Sequence, residues 1–450
     1  MNGVGMIKLA DIKRTLFFLA RNGFESTRYE IQEKLEQRKQ PLYRWELASL
    51  EELKRQKRWA EENSASLKFS IVVPAYRTRE NCLRDLLDSM MFQSYPYWEL
   101  ILADATRRRK KKIRKVMREF DDPRIRYVHL ESNGGISENT NRALELATGD
   151  YVGLLDHDDA LTRDALYEVA VRIDEKRRAG LEVQMLYSDE DKAESNMMIY
   201  HEPNRKEDFN LDLLLSNNYI CHFLVMKREL IQKLKLRKEF DGAQDYDLVL
   251  RAVDELAGKE DAIVHVPKAI YHWRCYGSST SENPWSKRYA YDAGRRAVQE
   301  FADRRGWKAK AVEMPHPGFY RLEYEESPLK IRDDLAAVGG RLTEDGKVTG
   351  GRMGTDGSVF YEGLPVVYSG YLHRAVLQQD AEALDVRNLE VRESLRGLFE
   401  EITGVPYKAL PGTDTFDAAT LPDGTNPVEV SLRLSRALRD RGYRLLYQPL

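Results

Sequence analysis

The stretch Gly149-Asp150-Tyr151-Val152-Gly153-Leu154-Leu155-Asp156-His157-Asp158-Asp159 decides how the rest of the chain is read. Its apolar run has the composition of a buried strand and breaks off into three carboxylates and an imidazole. A strand that ends in Asp-x-Asp places two carboxylates at the carboxyl edge of a sheet, where open α/β folds bind ligands. Two such oxygens can hold a divalent cation whose remaining positions go to phosphates or water. The plainer reading is an Asp-rich turn capping the next helix, whose pattern starts near Leu161, with Asp159 serving as a cap. Asp-x-Asp alone favours the cap. The flanking sequence reverses that preference.

Upstream, Phe69-Ser70-Ile71-Val72-Val73-Pro74-Ala75-Tyr76 is a buried-type β run stopped by Pro74. A helical stretch follows to about Gln93, then a second strand, Trp98 to Ala103, ending at Asp104. Thr106 to Glu119 reads as a basic helix whose run Arg107 to Lys112 fits a solvated face better than a steering patch. Arg124 to Leu130 is a third strand, and Asn133-Gly134-Gly135-Ile136-Ser137 a turn into the helix Glu138 to Ala147. Strands and helices alternating at this spacing specify a mostly parallel sheet covered on both faces. No G-x-G-x-x-G follows the first strand and no G-x-x-x-x-G-K-[ST] loop occurs. Without a glycine cradle, bound phosphates need another counter-charge, which a cation on Asp-x-Asp supplies.

Ser70 to Tyr76, the strand ending at Asp104, Asn133 to Ser137 with Asn141-Arg142-Ala143-Leu144, and Ala147 to Asp159, in this order, resemble the family 2 glycosyltransferases of the GT-A fold. The nearest branch is the bacterial one associated with O-antigen, rhamnan and capsule assembly. The resemblance covers about residues 69 to 300. It implies that Pro74, Ala75 and Tyr76 border the nucleotide, with Asn133 and Gly135 on the same side, and that Asp104 meets the base. Asp156 and Asp158 would hold Mn2+ or Mg2+ against the diphosphate. Where the family usually has Asp-Asp-Gly-Ser, this chain has Ala103-Asp104-Ala105-Thr106.

Beyond residue 160 the same edge gains further candidates. Met185-Leu186-Tyr187 is a short strand ending in Ser188-Asp189-Glu190-Asp191-Lys192, which points Asp189 and Asp191 toward an acceptor sugar. Lys206-Glu207-Asp208-Phe209 and the helix from Leu211 resemble the family's crossing over the sugar site, without its proline. Phe223 to Met226 reads as a strand and Lys227 to Leu234 as a helix. An inverting transfer needs a carboxylate to take the acceptor hydroxyl's proton as that oxygen attacks the anomeric carbon. In Gln244-Asp245-Tyr246-Asp247 the resemblance gives that role to Asp245, with Gln244 and Asp247 as acceptor contacts; simple helix capping is the competing reading. His272-Trp273-Arg274 stands where the family closes a loop over the donor. By resemblance, His272 is a third metal ligand, Trp273 a sugar contact and Arg274 a counter-charge to the diphosphate.

Residues 1 to 68 read as a helical arm, with helices at Met6 to Arg21, Ser26 to Arg38 and Tyr43 to Glu62. Charges of both signs alternate along it, which fits packing on the main domain better than peripheral contact with an anionic membrane. Residues 69 to 310 form the transferase domain, divided at 160 into a nucleotide-binding and an acceptor half. Residues 311 to 450 repeat the acceptor half without its chemistry: Asn388 to Leu395 resembles Phe223 to Leu230, and Asn426 to Arg433 stands where Gln244 to Arg251 would. Pro427 occupies the position of the base, so this module is expected to shape an acceptor groove, dimerise or dock a partner rather than catalyse.

At 450 residues the chain exceeds one ordinary domain, and a formal net charge of −2 gives no general ground for binding nucleic acid. Cys82, Cys221 and Cys275 lie outside metal-ligand spacing, as in a reducing compartment. No apolar run approaches the ~20 residues that span a bilayer. No signal-type h-region opens the chain, so a cytoplasmic protein, at most peripheral at the inner membrane face, is expected. These readings give a metal-dependent inverting transferase, moving a sugar from a UDP- or dTDP-linked donor to a lipid-linked glycan. The rivals are a nucleotidyltransferase, for which Pro74-Ala75-Tyr76-Arg77 is a poor phosphate loop, and a non-catalytic scaffold.

Overall fold

A computed structural model describes residues 9–37, 43–63, 67–107, 110–275 and 288–449. Four features read from the sequence lie wholly or partly outside them: the start of the first helix, Pro41, part of the cationic run and the Gly277 to Thr280 turn. The chain divides into two compact units, Met1–Arg14 with Pro41–Phe209 and Tyr219–Ala297, and Thr15–Gln40 with Asn210–Asn218 and Val298–Leu450. The expected division was an arm at residues 1 to 68, a transferase domain at 69 to 310 and a C-terminal module at 311 to 450. The arm is no unit of its own: Thr15–Gln40 belongs to the second unit and the rest to the first.

Helix α1 (Leu9–Gln37) is interrupted at Gly23, whose φ of 80° suits only a residue without a Cβ, matching the expected break. Helix α2 (Leu50–Asn63) starts well after Tyr43, and the non-helical stretch before it contacts the first unit's sheet through Tyr43 on Asp191 and Trp45 on His272. Then follow β1 (Phe69–Ala75), α3 (Glu80–Met91), β2 (Trp98–Asp104), α4 (Lys110–Glu119), β3 (Ile125–His129), α5 (Ile136–Leu144) and β4 (Tyr151–Leu154). These are close to the elements read from the sequence. After them come β5 (Ala160–Leu161), α6 (Ala165–Arg178), β6 (Met185–Ala193), β7 (Tyr200–Asn204), α7 (Leu211–Ser216), β8 (Leu224–Lys227), α8 (Arg228–Leu234), α9 (Gln244–Glu255), β9 (Ile263–Arg274) and α10 (Arg288–Arg304).

The fold class is α/β. The main sheet runs β3-β2-β1-β4-β8-β6-β9-β5, with β7 added to β6. β3, β2, β1 and β4 are mutually parallel; β8 turns the direction between β4 and β6, and β9 runs parallel to β6. Alternate β1 side chains Phe69, Ile71 and Val73 share a core with Leu83, Leu86 and Met90 of α3. The sheet's first strands are thereby fixed, and their carboxyl ends open on one edge. β6 is three times the expected length and runs straight through its acidic residues. Buried carboxylates are tolerated there because each finds a partner, as set out below.

The second unit contains β10 (Ala309–Glu313), β11 (Tyr320–Tyr324), α11 (Pro328–Ile331), β12 (Leu335–Gly339), β13 (Leu342–Glu344), β14 (Lys347–Gly350), β15 (Arg352–Met353) and β16 (Gln379–Asp380). It ends with β17 (Ala383–Leu384), β18 (Leu389–Val391), α12 (Arg396–Thr403), α13 (Pro427–Arg439) and β19 (Arg444–Tyr447). β12 pairs antiparallel with β18 and parallel with β19, as β6 pairs with β8 and β9. α13 precedes β19 as α9 precedes β9. Where Gln244 and Asp245 open α9, Asn426 caps α13 through the N–H groups of Val428 and Glu429, and Pro427 takes the first turn.

α7 is held in this second unit by charge. Arg332, fully buried, donates to Asp212 and to Asp334 (2.7 Å), and its guanidinium lies 4.2 Å from the Trp307 ring centre. Asp380 accepts from the Leu211 N–H at 2.7 Å, supplementing the Asn210 cap. Removing one partner leaves the other charge buried and alone. Asp212→Ala is therefore expected to destabilise the second unit by about 3–5 kcal/mol, measured by urea unfolding.

Candidate active site

The cleft at the carboxyl edge of β1 and β4 is lined by Pro74, Asp156, His222, Gln244 and Asp245. Pro74 is the penultimate residue of β1 and Asp156 lies just past β4, while Asp245 sits in the first turn of α9. Sequence elements some 170 residues apart thus meet in one place. The side chains of Asp156 and Asp158 are 45% and 36% exposed, and they are the open carboxylates of the Asp-rich loop.

Asp159 has the opposite role. It is buried, accepting the Tyr271 hydroxyl at 2.5 Å and the Arg274 N–H at 2.8 Å. Burial and the charges of Asp156 and Asp158 push its pKa well above the usual carboxylate range. It ties the loop to β9 and does not cap α6, which starts only at Ala165. Arg274 completes the anchor: Nε donates to the Asp158 carbonyl (2.6 Å), and the two Nη atoms to the Ser195 carbonyl and to Asp85. The expected role of Arg274 as a counter-charge in the cleft is corrected accordingly, since its guanidinium is fully buried and bonded to Asp158, Ser195 and Asp85.

The histidine beside Asp156 is His222, not His272. Successive residues of a strand face opposite sides, and β9 shows the consequence. Tyr271 and Trp273 flank His222, with ring centres 4.8 and 5.7 Å away. His272 between them faces the other side, bonded to Asp191 at 2.6 Å and packed against Trp45 and Tyr200. The expectation that His272 joins Asp156 and Asp158 on a metal is thereby corrected. His222 Nε2 stands 3.9 Å from Asp156, and its Nδ1 stands 3.1 Å from Glu190. Burial opposes a charge on His222, but the bond and charge of Glu190, then Asp156 and Asp159, outweigh it and raise its pKa to about 9. Burial likewise opposes the charge of Glu190, which Lys206 and His222 nevertheless hold down to about 2. Neither His222 nor Glu190 sits in a spaced motif. Only the β4–β8–β6 register brings them to the edge.

The acidic acceptor candidates are corrected as well. Asp191 is fully buried between the Tyr43 hydroxyl (2.9 Å) and His272. Asp189 accepts from the Lys206 N–H (2.8 Å) and contacts His265 (2.9 Å). Asp247 is buried under Arg237 and Arg251, the latter at 2.8 Å from Nη2. None of the three presents a free carboxylate to the cleft. Asp104 is also buried, accepting from the Thr106 N–H and the Tyr127 hydroxyl at 2.9 Å each, so it forms the floor beside β1. Ala75 is buried too, while Tyr76 is exposed under the Arg77 guanidinium, next to a second hollow lined by Arg77, Arg79 and Lys112.

Asn133 shapes the turn before α5, accepting from the Gly135 N–H and from Asn139. Gly135 has φ of +100°, and a Cβ there would meet Asp241 Oδ2 at 2.5 Å. Asp241, to which the sequence pattern assigned no role, accepts from the Ser137 N–H at 3.2 Å and its hydroxyl at 2.5 Å. A carboxylate from the segment before α9 thus caps α5 and fixes where Asp245 stands.

Residues 70–235 match the family model described as Glycosyl transferase family 2, so the chain carries a family 2 glycosyltransferase domain. It is 38% identical over 268 residues to the uncharacterized protein y4gI of Sinorhizobium fredii, a match spanning 58% of this chain and 28% of that one. It is 34% identical over 279 residues to the O-antigen biosynthesis protein RfbC of Myxococcus xanthus, covering 59% of this chain and 21% of the relative. The chain thus spans between a fifth and three tenths of these relatives. Among solved structures, Staphylococcus aureus TarS 1–349 in complex with UDP-GlcNAc is similar at 21% identity and a TM-score of 0.41, over 53% of this chain and 67% of that one. No helix among the described residues is long and apolar enough to cross a membrane.

Gly135→Ala is expected to cost about 1–3 kcal/mol in strain, read as a lowered thermal melting temperature. Asp241→Ala, which removes the cap without the clash, is expected to cost about 1 kcal/mol.

Proposed function

We propose that this chain is an inverting glycosyltransferase that moves a sugar from a UDP- or dTDP-linked donor to a hydroxyl of a growing, lipid-linked cell-surface polysaccharide. The observation that supports this reading is the meeting of Asp156, His222, Gln244 and Asp245 in one cleft. Asp156 and Asp158 fit a divalent cation: they are the exposed carboxylates of a loop whose third Asp and whose backbone are pinned from behind. Hard oxygen donors of this kind suit Mn2+ or Mg2+. Such a cation, when bound, neutralises charge on the leaving diphosphate.

The chain's own groups do the rest. Pro74 and Tyr76 border the nucleotide. His222, charged through Glu190, donates Nε2–H toward the diphosphate, a charge-assisted bond that strengthens as the leaving group gains charge. Asp245 takes the proton from the acceptor hydroxyl as its oxygen bonds to the anomeric carbon and the nucleotide diphosphate departs from the opposite side. Inversion follows from that single displacement. Gln244 and Trp273 flank the sugars, Trp273 through its aromatic face. A lipid-linked acceptor brings the protein to a membrane surface, and the exposed Leu16, Leu19 and Phe24 of α1, near Arg21 and Arg28, have the composition for peripheral contact. The similarity to an O-antigen biosynthesis protein supports a polysaccharide acceptor.

Asp245→Asn is expected to lower kcat by about 10²- to 10⁴-fold while nucleotide affinity holds, measured by release of nucleotide diphosphate from UDP- and dTDP-sugars with a glycan acceptor. NMR of the product should show the inverted anomer. An undiminished kcat, or a product with retained configuration, would overturn the assignment.

A further inference from the structure

We propose that Glu30, His316 and His373 form a second divalent-cation site, of the zinc type, within the second unit. One ligand atom from each lies within 4.8 Å of the others. Tetrahedral zinc with bonds of ~2.1 Å spaces its donors by roughly 3.4 Å, so a modest closing of the side chains completes the set. His316 Nε2 already stands 3.7 Å from Glu30 Oε2, and both side chains are nearly buried, at 13% and 11% exposure. The imidazoles of His316 and His373 stack face to face with ring centres 3.5 Å apart and planes 17° apart, so a turn of the His316 ring aims both lone pairs at one ion.

His373 is prepared as a ligand from behind. Its Nδ1 is 2.8 Å from Ser369 Oγ, which stands 3.2 Å from Glu33 Oε2. Glu33 is itself fixed by the N–H groups of Ser369 and Gly370 at 2.9 and 2.6 Å. With the hydroxyl donating to Glu33 and accepting from Nδ1–H, the lone pair of His373 falls on Nε2. Metal-ligating histidines are oriented by the same kind of outer bond. The backbone is committed as well: Leu372 and His373 hold left-handed φ of 51° and 61°, a conformation kept where the surroundings impose it. Lys34, 2.7 Å from Glu30, is the cation that a bound metal would displace.

Glu30 comes from α1, whereas both histidines lie far along the chain. A metal here would cross-link the N-terminal and C-terminal segments of the second unit, and its binding energy would add to that unit's folding energy. The site is chemically distinct from Asp156 and Asp158, which offer only oxygen.

The test uses the full-length, tag-free protein, stripped with EDTA and dialysed, then titrated with Zn2+ and with Co2+. An Asp156→Asn/Asp158→Asn variant should still take up one Zn2+ per chain and give the visible bands of tetrahedral Co2+. His316→Asn and His373→Asn should lose both, along with the Zn2+-induced rise in melting temperature; Asn tolerates the left-handed backbone at residue 373. Ser369→Ala should weaken Zn2+ binding about 10-fold. Should the histidine variants fail to fold, Glu30→Gln reads the same loss of Zn2+ affinity with little change in shape. Absence of bound Zn2+ in the double aspartate variant, or an unchanged Co2+ spectrum in the histidine or Glu30 variants, would overturn the site.

Discussion

The constraint on which the candidate site depends is the buried carboxylate of Asp159. Its two oxygens take the Tyr271 hydroxyl and the Arg274 N–H, while Arg274 grips the Asp158 carbonyl. Neighbouring like charges raise the energy of such a buried acid, so its bonds to β9 must hold the loop closely for the arrangement to persist. In return, Asp156 and Asp158 are presented outward from a fixed backbone. Preorganised charge is what electrostatic catalysis requires, because nothing has to reorient when the leaving group becomes anionic. The same rule governs the far wall, where Asp241 caps α5 and so sets the start of the segment that carries Asp245.

β1, β2 and β4 were legible because each is buried on both faces and reads as an apolar run between turn signals, whereas the half-exposed edge strand β3 showed only β-favouring residues between turns. Failures cluster where charge is buried. The acidic run Asp189 to Asp191 looked like a strand end, yet β6 continues through it, since Lys206, His222, His265, Tyr43 and His272 supply partners that no local pattern reveals. The histidine was misplaced for a simpler reason. His272 lies in a resembling motif and His222 does not, but a strand's two-residue period sends only Tyr271 and Trp273 toward Asp156's side. Capping by Asp241 was illegible because its partner, Ser137, lies more than a hundred residues earlier.

The second unit shows the same strand pairing without the same edge chemistry. β18, β12 and β19 repeat the directions of β8, β6 and β9, but Asn426-Pro427 replaces Gln244-Asp245, and the β12–β18 pair carries no acidic run like that of β6. A scaffold can keep its hydrogen-bond topology and core while its site residues drift, because packing and chemistry place separate demands on the sequence. The buried charge of this unit sits elsewhere, in Arg332 with Asp212 and in Glu33 under the Ser369–Gly370 backbone. Those pairs bind chain segments distant in sequence into one body.

The most direct measurement of the central claim is a calorimetric titration of the protein with UDP and with dTDP, in Mn2+ and in EDTA. Carboxylates at a strand end that recruit a cation for a diphosphate predict binding of one of these nucleotides at one per chain in Mn2+, lost in EDTA. Equal binding with and without the metal would contradict the role given to Asp156 and Asp158.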